Sequence, residues 1–181
     1  MKYFTIDKAL LGVGALFLTI SCTTLQSGGG TGPDGTKSNV PEHFITAPDF
    51  RMTTMDGSAF RLSDHEGEVV VLNIWATWCM PCRKEIPDFI EIQDEMRDDG
   101  VIFLGVSIDE DGWHVVRPFA EEYNINYPLV VDDGKINRGY GPFPGIPTTF
   151  VINKEREIEY VASGAVSSKT LKPILQELAD R

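Results

Sequence analysis

Cys79 and Cys82 stand with two residues between them, and no other pair in the 181-residue chain carries so clear a chemical signal. Two thiols at that spacing can close on each other. Thiolate attack on a foreign disulfide, followed by that closure, hands two electrons to the substrate. Both sulfurs lie where a β-type apolar run gives way to a helical pattern. A helix N-terminus there offers unpaired N–H groups and partial positive charge, which stabilise a thiolate. Cys79 precedes the helix, so it is expected to be the more exposed sulfur and the nucleophile; Cys82 is expected to be buried and to resolve the mixed disulfide. Pro81, between them, suits a helix start because it has no N–H to leave unpaired. A zinc site would need further ligands, but there is no second cysteine pair, and His43, His65 and His114 show no ligand spacing. No metal and no cofactor are expected. A purely structural bridge across so small a loop would stabilise little.

The elements that must position these residues can be read from the periodicity. Phe50 to Met55 and Ser58 to Leu62 flank Asp56-Gly57, a hairpin signal. Glu68 to Trp75 is β-branched and almost continuously apolar, as expected of a central strand covered on both faces. A helix is predicted from about Cys82 to Arg97, with Ile86, Phe89, Ile90 and Met96 inward and Pro87 kinking it. Val101 to Ile108 reads as a second buried strand, Trp113 to Tyr123 as a helix, and Tyr127 to Val131 as a short extended segment. Ile136 to Tyr140 reads as a helical turn, Thr148 to Ile152 and Glu157 to Ser163 as strands, and Ser167 to Ala179 as a closing helix. A hairpin, then β-α-β-α-β, then β-β-α implies an α/β fold: a mixed central sheet flanked by helices, with an N-terminal β-hairpin extension and a closing hairpin as antiparallel edge strands.

The N-terminus follows different rules. Lys2 and Lys8 bracket the start, and Ala9 to Ile20 form an apolar run of twelve residues. A bilayer-spanning helix needs about 20, so the run suits a signal peptide better. The segment after Cys22 is rich in Gly, Ser and Thr and has little to bury. The expected division is a signal peptide over 1–21, a flexible tether over 22–42 and a folded domain over 43–181. Three cysteines cannot all pair within one chain. A formal net charge of −11 argues against nucleic acid and against adhesion through a polybasic patch.

Two stretches together carry a family likeness: Asn73-Ile-Trp-Ala-Thr-Trp-Cys79-Met-Pro-Cys82-Arg-Lys-Glu85-Ile-Pro87 and, about 65 residues on, Gly145-Ile-Pro147-Thr-Thr-Phe-Val-Ile-Asn153. From Phe44 to Asp180 the chain resembles the thioredoxin superfamily, and within it the TlpA/ResA-like exported thiol–disulfide oxidoreductases. The resemblance implies a thioredoxin-like fold. It also implies that Pro147 follows a cis peptide bond and faces the cysteines, with the Ile146 backbone open to strand-like pairing with substrate. Trp75 and Trp78 are expected to pack around the disulfide. Asn73 stands where thioredoxins proper carry a buried Asp, so acid–base work falls to Glu85, one turn beyond Cys82 on the same helix face. The alternative for Glu85 is an ordinary solvated helix charge. Tyr140-Gly-Pro-Phe-Pro-Gly-Ile-Pro147 departs from the family spacing by one extra residue and two extra prolines. Leu18-Thr19-Ile20-Ser21-Cys22 resembles a bacterial lipobox, with Thr19 where Leu is usual, which implies lipid attachment at Cys22.

The resemblance implies reduction of protein disulfides outside the cytoplasm, with apocytochrome c before haem attachment among the substrates of the family. Electrons would come from a membrane donor, and a lipid-anchored monomer facing the periplasm or cell exterior is expected. A peroxiredoxin-like thiol peroxidase is the competing reading. Such proteins place Thr or Ser a few residues before a single peroxidatic cysteine, and Thr77 lies two before Cys79. A copper-binding module would space its cysteines one residue further apart.

Overall fold

The computed structural model describes residues 45–181. The signal-peptide run, Cys22, the tether and His43 lie outside the described residues. Strand β1 (Ile45–Thr46) leads into a hairpin of β2 (Arg51–Thr53) and β3 (Ala59–Arg61), followed by a 3-10 turn, Leu62–His65. The alternating core begins with β4 (Val69–Trp75), α1 (Met80–Met96), β5 (Val101–Ser107), α2 (Trp113–Tyr123) and β6 (Leu129–Val131). It ends with α3 (Lys135–Tyr140), β7 (Thr148–Ile152), β8 (Glu157–Ser163) and α4 (Ser168–Ala179).

The main sheet has the order β1-β8-β7-β4-β5-β6, and β2-β3 form a separate ribbon. Strands β4, β5 and β6 run parallel, while β7 is antiparallel to both β4 and β8. Of the two closing strands expected at an edge, β7 is therefore interior and buried throughout; β8 is near the edge, where among the described residues the two-residue β1 alone pairs with its outer side. The run Thr148–Ile152 is apolar enough to be walled in on both faces, whereas Glu157 and Glu159 keep β8 at the rim.

Strand β4 explains the layering. Val69, Val71 and Trp75 join a cluster with α1, α2 and α4, including Phe89, Phe119 and Leu171. Val70, Leu72 and Ile74 face the other way, toward Phe50, Phe60 and Leu62 of the hairpin region and Ile136 of α3. A period-two strand buried on both faces needs apolar residues at nearly every position, and β4 has them everywhere but Asn73. Gln93, buried on α1, donates to the Val101 carbonyl at 3.1 Å and accepts from Phe103 N at 2.8 Å. These bonds serve the half of β5 that β6, paired only with Gly105–Ser107, does not reach.

Helix α1 begins at Met80, two residues before its expected start. Cys79 is its N-cap, and the Cys79 sulfur accepts from Cys82 N at 3.3 Å. Pro81 is tolerated in that first turn because its missing N–H would have had no helical partner. Pro87 lies on the exposed side, and the helix continues past it to Met96.

Candidate active site

The site forms where the parallel strands end. Strand β4 stops at Trp75, the chain crosses in four residues, and Cys79 caps α1. Cys79 N donates to the Ala76 carbonyl at 3.1 Å, closing this crossing as a turn. The two sulfurs are bonded at 2.00 Å, with Cα atoms 5.3 Å apart. The chain is thus in its oxidised state, with the bond at the positive end of the helix.

Cys82 is buried, as expected. Cys79 is nearly so, with 4% of its surface exposed against 0% for Cys82. The expected contrast in exposure is therefore slight; position at the helix cap distinguishes the sulfurs more than access does. Trp75 packs in the same cluster as both cysteines, its ring 5.3 Å from that of Phe119. Trp78 does not pack around the disulfide: it is 65% exposed. It occupies an outer position of the Ala76–Cys79 turn, where no described element covers it. Met80, also exposed at 61%, stands on the other side of Cys79 in sequence.

The Ile146–Pro147 peptide is cis. Antiparallel pairing of β7 with β4 ends at Ile74↔Thr148, so Pro147 comes next, beside the point where the cysteine turn leaves the sheet. Its carbonyl accepts from Gly164 N at 2.8 Å. The extra residues before it are taken up by packing on the hairpin side of the sheet. Tyr140 donates to the Pro48 carbonyl at 2.8 Å, and both Tyr140 and Phe143 set their rings edge-on to Phe150. Thr148 Oγ1 closes the loop onto the Gly145 carbonyl at 2.7 Å.

Glu85 is not a solvated helix charge. Only 3% of it is exposed. Its Oε1 accepts from Asn73 Nδ2 at 2.9 Å, and its Oε2 accepts from Val166 N at 3.0 Å. Asn73 Nδ2 also donates to Thr149 Oγ1 at 3.0 Å, tying the arrangement to β7. Burial pushes the Glu85 carboxyl up to about 7; the bonds from Val166 and Asn73 pull it down, and nearby Asp88 adds a smaller upward push. Burial, and then the charge of Glu85, hold the Tyr127 hydroxyl above its ordinary value. Glu85 therefore sits one helical turn from Cys82 with a proton affinity suited to exchange near neutrality.

A second buried carboxylate escaped the sequence reading. Asp109, just beyond β5, accepts from Thr77 N, Thr77 Oγ1 and Ser107 Oγ. Thr77 thus spends its hydroxyl on holding the turn. The available signal was Asp109's place at the C-terminal end of a parallel strand, where α/β sites gather. Among the described residues, no cluster of His, Cys, Asp and Glu could hold a metal ion.

Comparison with known proteins agrees with this geometry. The AhpC/TSA family model matches residues 45–161. The thiol-disulfide oxidoreductase ResA of Geobacillus thermodenitrificans is 34% identical over 134 residues, covering 74% of this chain and 76% of that protein. A thioredoxin-family thiol:disulfide interchange protein from Chlorobium tepidum superposes with a TM-score of 0.71 at 29% identity, over 77% of this chain and 99% of that one. The pneumococcal exposed lipoprotein thioredoxin Etrx1 of Streptococcus pneumoniae is 31% identical, with a TM-score of 0.64 over 72% of this chain and 100% of that one.

Proposed function

The chain belongs to the AhpC/TSA family and is a thioredoxin-like thiol–disulfide oxidoreductase, and from that premise we propose that it works as a reductant of protein disulfides outside the cytoplasm. The observation that carries this direction is the buried carboxylate of Glu85 one turn from Cys82. A negative charge close to a thiol pair disfavours the thiolate, and so favours the disulfide over the dithiol. A pair that prefers to be oxidised is one that gives electrons away.

Cys79, at the helix cap, attacks the substrate disulfide as thiolate; one substrate sulfur leaves and a mixed disulfide forms. Glu85 takes the proton of Cys82, whose sulfur then attacks Cys79. The substrate departs as a dithiol and the chain keeps the Cys79–Cys82 bond. The Ile146 backbone before Pro147 pairs with the extended substrate segment, while Trp78 and Pro81 border the attacking sulfur. An upstream membrane donor restores the dithiol. The lipobox-like run supports anchoring through Cys22, and one relative of this chain is named an exposed lipoprotein. Apocytochrome c thiols are a fitting substrate class for such a reductant.

The test is the equilibrium potential against glutathione, with substrate trapping on Cys82→Ser. We expect a potential nearer the thioredoxin value of about −270 mV than the oxidant value of about −120 mV, and mixed disulfides on Cys82→Ser but not on Cys79→Ser. A potential at the oxidising end would reverse the direction, and equal trapping by both variants would reverse the sulfur roles.

A further inference from the structure

The cysteine turn has one anchor to the sheet that is not backbone pairing. Trp75 is in register with Ser107, and Ile108 N still donates to the Trp75 carbonyl at 3.0 Å; beyond that the two strands part. Of the residues that cross to α1, Trp78 is exposed and holds nothing. Thr77 is gripped at two points by a single carboxylate. Its N–H donates to Asp109 Oδ2 at 2.9 Å, and its hydroxyl donates to Oδ1 at 2.6 Å. Two bonds to one planar group fix orientation as well as distance.

The carboxylate itself stands on firm ground. Asp109 is 5% exposed, its Oδ2 also accepts from Ser107 Oγ at 2.7 Å, and Ser107 Oγ accepts from Asp109 N at 3.0 Å. Ser107 is fully buried at the end of β5, and its carbonyl accepts from Asp132 N, just past β6, at 2.8 Å. A rigid strand end therefore dictates where Thr77 sits, and through the Ala76–Cys79 turn where the Cys79 sulfur sits.

We propose that Asp109 is a positioning residue for thiol–disulfide exchange: by clamping the backbone and hydroxyl of Thr77 it holds the Cys79 sulfur at the N-terminus of α1. The helix field falls off within a single turn, so a sulfur that strays loses thiolate stabilisation as well as aim. A carboxylate this buried needs donors in any case, so burial alone does not separate a clamp from core satisfaction. The Thr77 hydroxyl does. Removing it leaves Oδ2 with both of its donors, Thr77 N and Ser107 Oγ, and takes from Oδ1 the bond that fixes the turn.

The inference rests on Cys79 being the attacking sulfur. Its test uses the full chain carrying Cys82→Ser, with Thr77→Val, Thr77→Ser or Asp109→Asn added. Two quantities are read: the apparent pKa of Cys79, from the pH dependence of iodoacetamide alkylation, and the rate constant for attack on a peptide disulfide. Thr77→Val should raise the Cys79 pKa and slow attack at pH 7 by about three- to tenfold, the equivalent of losing one charge-assisted hydrogen bond. Thr77→Ser should recover the rate to within about twofold, since the donor is restored. Asp109→Asn should slow attack by about tenfold even where Cys79 is fully ionised, because it cannot accept both Thr77 bonds. If Thr77→Val matches Thr77→Ser in both quantities, Asp109 is only a satisfied core group and the proposal fails. Should Asp109→Asn not fold, the Thr77 pair decides alone. If Cys82→Ser with Thr77 intact does not attack the disulfide at all, it is the assignment of Cys79 that fails, while the alkylation profiles still report on the clamp.

Discussion

Glu85 and Asp109 are both carboxylates nearly sealed from solvent, one on the helix that the cysteine turn opens and one bonded to the turn itself, yet they are held differently. Glu85 projects from the second turn of α1 and receives one amide from Asn73 and one backbone N–H from Val166. Asp109 sits at a strand end and receives three donors, two of them from the single residue Thr77. Two donors do not offset the burial of Glu85, and its proton affinity rises toward neutrality. The bonds of Asp109 converge on one short segment and tie it to the sheet. Similar burial thus yields a group suited to moving a proton in one place and a mechanical anchor in the other. What differs is the number of donors and where they come from.

The sharpest way to break this contrast is through pH. In the unfolded chain Glu85 titrates near 4.5, and in the folded chain near 7. The folded state binds the extra proton, so the contribution of Glu85 to stability is full below the unfolded value and declines as pH rises to the folded one. Over that window the wild type should lose about 3 kcal/mol relative to Glu85→Gln, which does not titrate. Urea unfolding of the oxidised chain at pH 5 and pH 8 measures this. Parallel behaviour of the two proteins would return Glu85 to the status of an ordinary charge.

Next in size is Asp109→Ala. It strands the Thr77 and Ser107 donors and should cost roughly 2 kcal/mol. A denaturation midpoint indistinguishable from that of wild type would mean that water replaces the carboxylate without loss. The smallest effect is expected from Asp88→Asn. Asp88 accepts from Ser168 N at 2.7 Å and pushes Glu85 upward less than burial does. The substitution should lower the Glu85 titration only slightly, followed by NMR of a labelled glutamate. A large drop would show that charge repulsion, not burial, governs Glu85.

The same two residues mark how far the chain could be read without its fold. Glu85 is legible because it shares a helix with Cys82, and i, i+3 spacing carries over directly into neighbourhood. Asp109 and Thr77 are 32 residues apart and share no periodic pattern, so nothing local joins them. Asn73 stands out in sequence as an uncharged residue where an acid is usual, but its bonds to Glu85 and to Thr149 depend on how α1 and β7 lie against β4. Trp78 shows the reverse error. An apolar ring next to a cysteine suggests packing, but whether anything lies above it depends on the surrounding loops, and it is exposed.

The order of strands and helices, the covered central strand, the redox pair and the helix start that activates it follow from residue types and short spacings. Hydrophobic period and helix-terminus chemistry act over a few residues, which is as far as sequence patterns reach. The interior place of β7, the near burial of both sulfurs, the elevated proton affinity of Glu85 and the grip of Asp109 on Thr77 follow from which segments meet in space. Desolvation and hydrogen bonding depend on every group within a few ångströms, and most of those groups come from distant parts of the chain.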